Sequence, residues 1–165
     1  MPIVIDRDTA DSVDARRLFG ELWAEVDSIY GNEAPSGGAL PGMDVPRTVF
    51  VVARDSGEAI GCGAIRPFTS EIAEVKRLYV SPAHRGRGIA REIIDALEQF
   101  ARENGFSELW LETGLRQPAA IRLYERLGYT RIAGFGDYKD DPLSVCYGLS
   151  LKSTPPSGRT KTASS

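Results

Sequence analysis

The chain has 165 residues, 42% of them hydrophobic, enough for one domain around a single core. A net charge of −3 argues against a general nucleic-acid binder, and two cysteines with one histidine offer no metal-ligand spacing. No apolar run approaches ~18 residues and no charged-then-apolar leader opens the sequence, so the expectation is a cytoplasmic protein without a membrane role.

Pro2 to Asp6 read as a short first strand. Thr9 to Ile29 read as a helix, because Val13, Leu18, Leu22, Val26 and Ile29 recur three to five apart and Thr9 or Asp11 can cap. Gly31 to Pro46 is a loop by composition, and a loop of that length in a compact domain suits either a binding loop or a surface insertion. Thr48 to Ala53 is a near-continuous apolar run, so a buried strand is expected. Asp55 to Glu58 is turn chemistry, Ala59 to Ile65 the returning strand, and Ile72 to Val80 the third strand of the meander.

Ile89 to Asn104 is the most regular helix. Ile89, Ile93, Leu97 and Phe100 make one face, Arg91/Asp95 and Glu98/Arg102 pair on the other, and Gly105 stops it. Glu108 to Thr113 is a short strand. Pro118 opens a further helix that Gly128 ends. Tyr129 to Ala133 and Leu143 to Leu151 close the domain, with Gly134 to Pro142 between them. Residues 1–152 form the domain, and 153–165, without a large apolar residue, read as a disordered tail. The order β-α-βββ-α-β-α-ββ describes an α+β sheet covered by helices.

Between the third strand and the regular helix lies Arg85-Gly86-Arg87-Gly88, a basic, glycine-rich turn. A strand, such a turn and a helix N-terminus together describe a site for an anion. Main-chain N–H groups in the first helical turn lack intrahelical partners, and the helix dipole favours negative charge there. Two common phosphate turns fail on spacing. A P-loop needs Gly-Lys, which occurs nowhere, and the dinucleotide fingerprint would need a small residue where Arg91 stands.

What does match is Arg-x-x-Gly-x-Ala over Arg85 to Ala90. It resembles the acetyl-CoA pyrophosphate loop of the GNAT superfamily of N-acetyltransferases, whose pattern is Gln/Arg-x-x-Gly-x-Gly/Ala. A second block is similar to the same family: Leu109-Trp110-Leu111-Glu112 followed by Ala120 to Tyr129. The resemblance implies a three-layer fold with a mixed, largely antiparallel sheet of about seven strands, and acetyl-CoA as co-substrate without a metal. Leu78, Tyr79 and Val80 would run beside the pantetheine. Arg85, Gly86, Arg87, Gly88, Ile89, Ala90 and Arg91 would form the pyrophosphate loop, and Gln117 stands where the family often has Asn.

Acetyl transfer by direct attack requires a neutral amine, a polarised carbonyl and a thiolate that can leave. By the resemblance, a main-chain N–H near Leu78 polarises the carbonyl, and Tyr124 donates to the departing sulfur; otherwise Tyr124 packs with Ala120 and Leu127. Glu74 and Glu112 compete as general base. Arg66 and Arg77 are candidates for a substrate carboxylate, since guanidinium matches that geometry in two bonds. Strict alternation gives neither face of Glu74 to Val80 an apolar character, and a β-bulge would reconcile the pattern. The expected acceptor is a small-molecule or amino-acid-like primary amine. A protein N-terminus or lysine stays open, as does a silent acyl-CoA sensor. Closing strands of such domains can also pair into a homodimer.

Overall fold

The computed structural model describes residues 3–31 and 40–151. The expected tail and the middle of the Gly31 to Pro46 loop lie outside them. The elements follow the expected order: β1 (Ile3–Asp8), α1 (Val13–Tyr30), β2 (Val49–Asp55), β3 (Glu58–Pro67), β4 (Ile72–Val80), α2 (Ile89–Glu103), β5 (Glu108–Gly114), α3 (Pro118–Arg126), β6 (Thr130–Ile132) and β7 (Ser144–Ser150). They build a seven-stranded sheet in the order β1-β2-β3-β4-β5-β7-β6. Neighbours pair antiparallel except β4 and β5, which are parallel.

Helices cover both faces. On one, Ala15, Leu18 and Phe19 of α1 pack on Phe50 and Val52 of β2, Cys62 and Ala64 of β3, and Tyr79 of β4. On the other, Ile93, Ile94 and Leu97 of α2 pack on Val51, Val75, Leu109 and Leu111, with Tyr124 and Leu127 at the α3 end. β2 is thus apolar on both sides because both are covered. Each fully buried isoleucine or leucine here contributes about 1.5–3 kcal/mol through burial.

Three expectations are corrected. Helix α1 begins at Val13, and its cap is Ser12, whose hydroxyl accepts from Ala15 N–H at 3.0 Å. Thr9 instead closes the preceding turn, its carbonyl accepting from Ser12 N–H. Val13 is 80% exposed because the buried stripe runs through Ala15, Leu18 and Phe19. Glu98 does not lie on the outer face of α2. It is 2% exposed, and its carboxylate accepts from the Tyr129 hydroxyl at 2.9 Å, joining α2 to the start of β6. The expected β-bulge in β4 is present. Among the described residues, no helix is long and apolar enough to cross a membrane, and no His/Cys/Asp/Glu group is placed to hold a metal.

Candidate active site

β4 and β5 share three residue pairs, Ile72–Glu108, Ala73–Leu109 and Glu74–Trp110, and then separate. β4 stays paired with β3 as far as Val80, and β5 stays paired with β7 as far as Gly114. From Val75 onward the edge of β4 that faces β5 therefore has no strand partner. A row of main-chain donors and acceptors lines one side of a split in the sheet, where an extended ligand can take the place of a strand.

The bulge sits within this open stretch. Lys76 lies opposite Ala64 and Tyr79 opposite Cys62, so Arg77 and Leu78 share one partner position. Arg77 reaches φ +58, a conformation that costs a side-chain-bearing residue about 1–2 kcal/mol. The extra residue inverts the alternation. Glu74 and Lys76 lie on the α1 side before the bulge, as do Arg77 and Tyr79 after it, while Val75, Leu78 and Val80 face α2. Arg77 is held between the rings of Phe19 (4.7 Å) and Trp23 (5.1 Å) of α1. The Cys62 thiol donates to the Arg77 carbonyl at 3.3 Å, and burial pushes its pKa up to about 12, which removes it as a nucleophile.

At the far end of β4, Ser81 N–H bonds to Ile60 carbonyl at 2.8 Å, and one 3₁₀ turn (Pro82–His84) leads into the glycine turn. Gly86 and Gly88 have φ +82 and +76, with open space above both. Gly88 caps α2 without a side-chain hydrogen bond, so the N–H groups of Ile89, Ala90 and Arg91 remain for a ligand. The arginines divide. Arg85 donates to Val80 carbonyl (2.9 Å) and pairs with Glu25 of α1 (2.6 Å). Arg87 pairs with Asp55 (3.1 Å) and meets His84 Nδ1 at 3.0 Å. Among the described residues, the Arg91 guanidinium has no ion pair or hydrogen bond.

Side chains from five segments meet where the strands separate. Glu74 is 4% exposed and lies 3.6 Å from Arg66 Nη2 and 3.5 Å from Lys76 Nζ. Arg66 also donates to Pro41 carbonyl at 2.7 Å, which ties the returning loop to the site. Tyr138 reaches in from the β6–β7 connection. Its hydroxyl accepts from Lys76 Nζ and lies beside the Glu74 carboxylate. Across the split, Glu112 accepts from the Ser144 hydroxyl at 2.7 Å, and burial raises its carboxyl above the ordinary range.

Tyr124 stands on the α2/α3 side, 6% exposed, against the rings of Tyr129 (6.0 Å) and Tyr147 (6.3 Å). Burial and the negative charge of Glu112 push its hydroxyl well above the usual phenol range, so it stays protonated. Tyr124 belongs to the same core cluster as Leu127, and among the described residues no hydrogen bond to its hydroxyl is found.

The Gln117 amide oxygen accepts from Gly114 N–H at 3.1 Å, which leaves its amide nitrogen as the donor for any ligand. Tyr30, at the end of α1, was not foreseen. Its hydroxyl accepts from Arg116 N–H at 3.1 Å and fills the place a Gly114 side chain would need, 1.7 Å from the ideal Cβ. Helix α1 thus spans the split, fixed to β4 through Glu21 and Ser81 (2.9 Å) and to the β5–α3 turn through Tyr30. Tyr138, Ser144 and Tyr30 carry no local motif. The only hint of Tyr138 was its place in a Gly/Asp-rich connection beside the closing strand.

Comparison with known proteins is consistent with this geometry. The acetyltransferase (GNAT) family matches residues 14–129. The IAA acetyltransferase of Azospirillum brasilense is 39% identical over 130 residues, covering 78% of this chain and 85% of that protein. The uncharacterized N-acetyltransferase YjgM of Escherichia coli is 37% identical over 121 residues, covering 66% and 72%. A crystallised protein of Klebsiella pneumoniae assigned to the acyl-CoA N-acyltransferases superposes with TM-score 0.77 at 33% identity, covering 90% of this chain and 97% of that one. A GNAT acetyltransferase of Elizabethkingia anophelis with acetyl-CoA bound shares the fold, with TM-score 0.63 at 17% identity and coverage of 90% and 97%.

Proposed function

Because the chain belongs to the acetyltransferase (GNAT) family and is an acetyl-CoA-dependent acyltransferase, we propose that it acetylates the primary amine of a small, amino-acid-like acceptor by direct attack. The observation that carries this reading is the pairing of β4 with β5, which stops at Glu74 while the glycine turn opens at the other end of β4. The open edge from Val75 to Val80 is complementary to an amide-bearing arm such as pantetheine. The unpaired N–H groups of Ile89 to Arg91 and the Arg91 guanidinium suit a pyrophosphate. The bound thioester supplies the acetyl group and leaves as a thiolate.

Each side of the split has a separate task. On the α2/α3 side, the protonated Tyr124 hydroxyl donates a hydrogen bond to the sulfur as negative charge grows there. On the α1 side, Glu112 takes the proton of the incoming ammonium, directly or through water. Its raised proton affinity brings it closer to the operating pH than an ordinary carboxylate, which is what a general base needs. Glu74, engaged by Arg66, Lys76 and Tyr138, serves as a fixed negative charge that orients the site. Arg66 and Arg77 lie on the same side as Glu74 and suit a carboxylate on the acceptor.

A thiol-release assay with acetyl-CoA and a panel of amines, amino acids and peptides tests the reading. Turnover with amino acids and small amines is expected. Turnover confined to peptides would move the acceptor to a protein, and binding of acetyl-CoA without release across the panel would replace the enzyme by a sensor.

A further inference from the structure

Glu112 is faced by groups from every element around it: Lys76 and Glu74 from β4, Asp141 and Tyr138 from the β6–β7 connection, Ser144 and Cys146 from β7 and Tyr124 from α3. Lys76 is the cation whose field reaches it, yet among the described residues no ion pair joins the two. Lys76 Nζ stands instead 3.5 Å from Glu74 Oε2 and donates to the Tyr138 hydroxyl, which lies beside the same carboxylate. The hydrogen bond of Glu112 is to the neutral Ser144 hydroxyl.

We propose that Tyr138 is a positioning residue whose hydroxyl tethers the Lys76 ammonium on the Glu74 side of the split and so keeps Glu112 free of a cation. A lysine stem has the reach to swing between two carboxylates, and a cation close to a carboxylate lowers its proton affinity markedly. The segment that carries Tyr138 is built to aim it. Gly134 has no room for a side chain, since an ideal Cβ would lie 2.9 Å from Tyr138 carbonyl oxygen. Phe135 is buried against Phe68 (5.2 Å), Trp110 (5.1 Å) and the Tyr138 ring (5.4 Å). Aromatic packing therefore sets the hydroxyl position independently of the ion pair it holds. The purpose of the tether rests on the transferase reading, in which Glu112 must keep its affinity for the proton of the amine; the tether itself does not.

Carboxyl titration of Glu112 by ¹³C NMR tests it without an acceptor. In Tyr138→Phe the midpoint should fall by about one pH unit as Lys76 moves onto Glu112. In Lys76→Met/Tyr138→Phe it should return to the wild-type value or above. An unchanged midpoint in the single variant, or an equal fall in the double variant, overturns the proposal. Acetyl-CoA affinity should stay within about twofold in both variants, since neither change alters the main chain of the β4 edge or the glycine turn. A loss of tenfold or more would place Tyr138 in the donor site and overturn the tether. If the wild-type chain bound acetyl-CoA but acetylated nothing, the transferase reading would fail while the titration still decided the tether.

Discussion

On the proposed reading, the donor and acceptor sides of the split are built in opposite ways. The donor side is one continuous stretch, Val75 to Arg91, and it works largely through main chain: an open strand edge, two glycines at positive φ and an uncapped helix start. The acceptor side uses side chains from β3, β4, β5, β7 and the β6–β7 connection, spread along the chain from Arg66 to Ser144. A backbone site tolerates changes of side chain so long as the chain can adopt its path. A side-chain site depends on each group and on the packing that aims it.

This contrast predicts that single substitutions should separate the two sides. Glu112→Gln should give the largest loss, about 10²–10³-fold in kcat/KM, with acetyl-CoA affinity unchanged by calorimetry. Because burial raises the Glu112 carboxyl, the wild-type kcat/KM should climb with pH through a limb above the ordinary carboxylate range as the proton is lost, and this variant should lack that limb. Persistence of the limb would shift the base to another group. Next, Tyr124→Phe should slow transfer about tenfold at saturating substrates, with unaltered acetyl-CoA binding; a rise in KM alone would show that the hydroxyl only binds.

On the donor side, Gly88→Val forces a β-branched residue to φ +76 and should weaken acetyl-CoA binding about tenfold, while the KM for the acceptor holds steady. Arg91→Ala should cost the least, about threefold in acetyl-CoA affinity and less at high salt. Arg85→Ala should leave that affinity alone, because its partners are Val80 and Glu25 of the protein itself. Equal effects of the two arginine changes would break the division drawn between them.

Most elements were legible because their signals are local. The 3.6-residue period of α2, the glycine-proline punctuation of α3 and the apolar run of β2 each recur as read. Errors fell where contacts from elsewhere decided the outcome. Glu98 looked like half of a surface pair, yet Tyr129, distant in sequence, draws it inside. Thr9 and Asp11 were plausible caps, but the path out of β1 places Ser12 at the cap position.

By itself, then, the sequence determined the family, the order of elements, a glycine-rich turn ahead of α2 and the need for a bulge within the Glu74 to Val80 strand. Each follows from φ/ψ preference, hydrophobic period or a motif in consecutive residues. Only the tertiary structure decided which side of the split each carboxylate faces, that Lys76 is held by Tyr138, and that Tyr30 takes the space above Gly114. The physical reason is that these relations arise between residues remote in the chain. The bulge inverts the alternation of β4, and the parting of β4 from β5 leaves room for Tyr138 and Glu112 to approach from opposite arms.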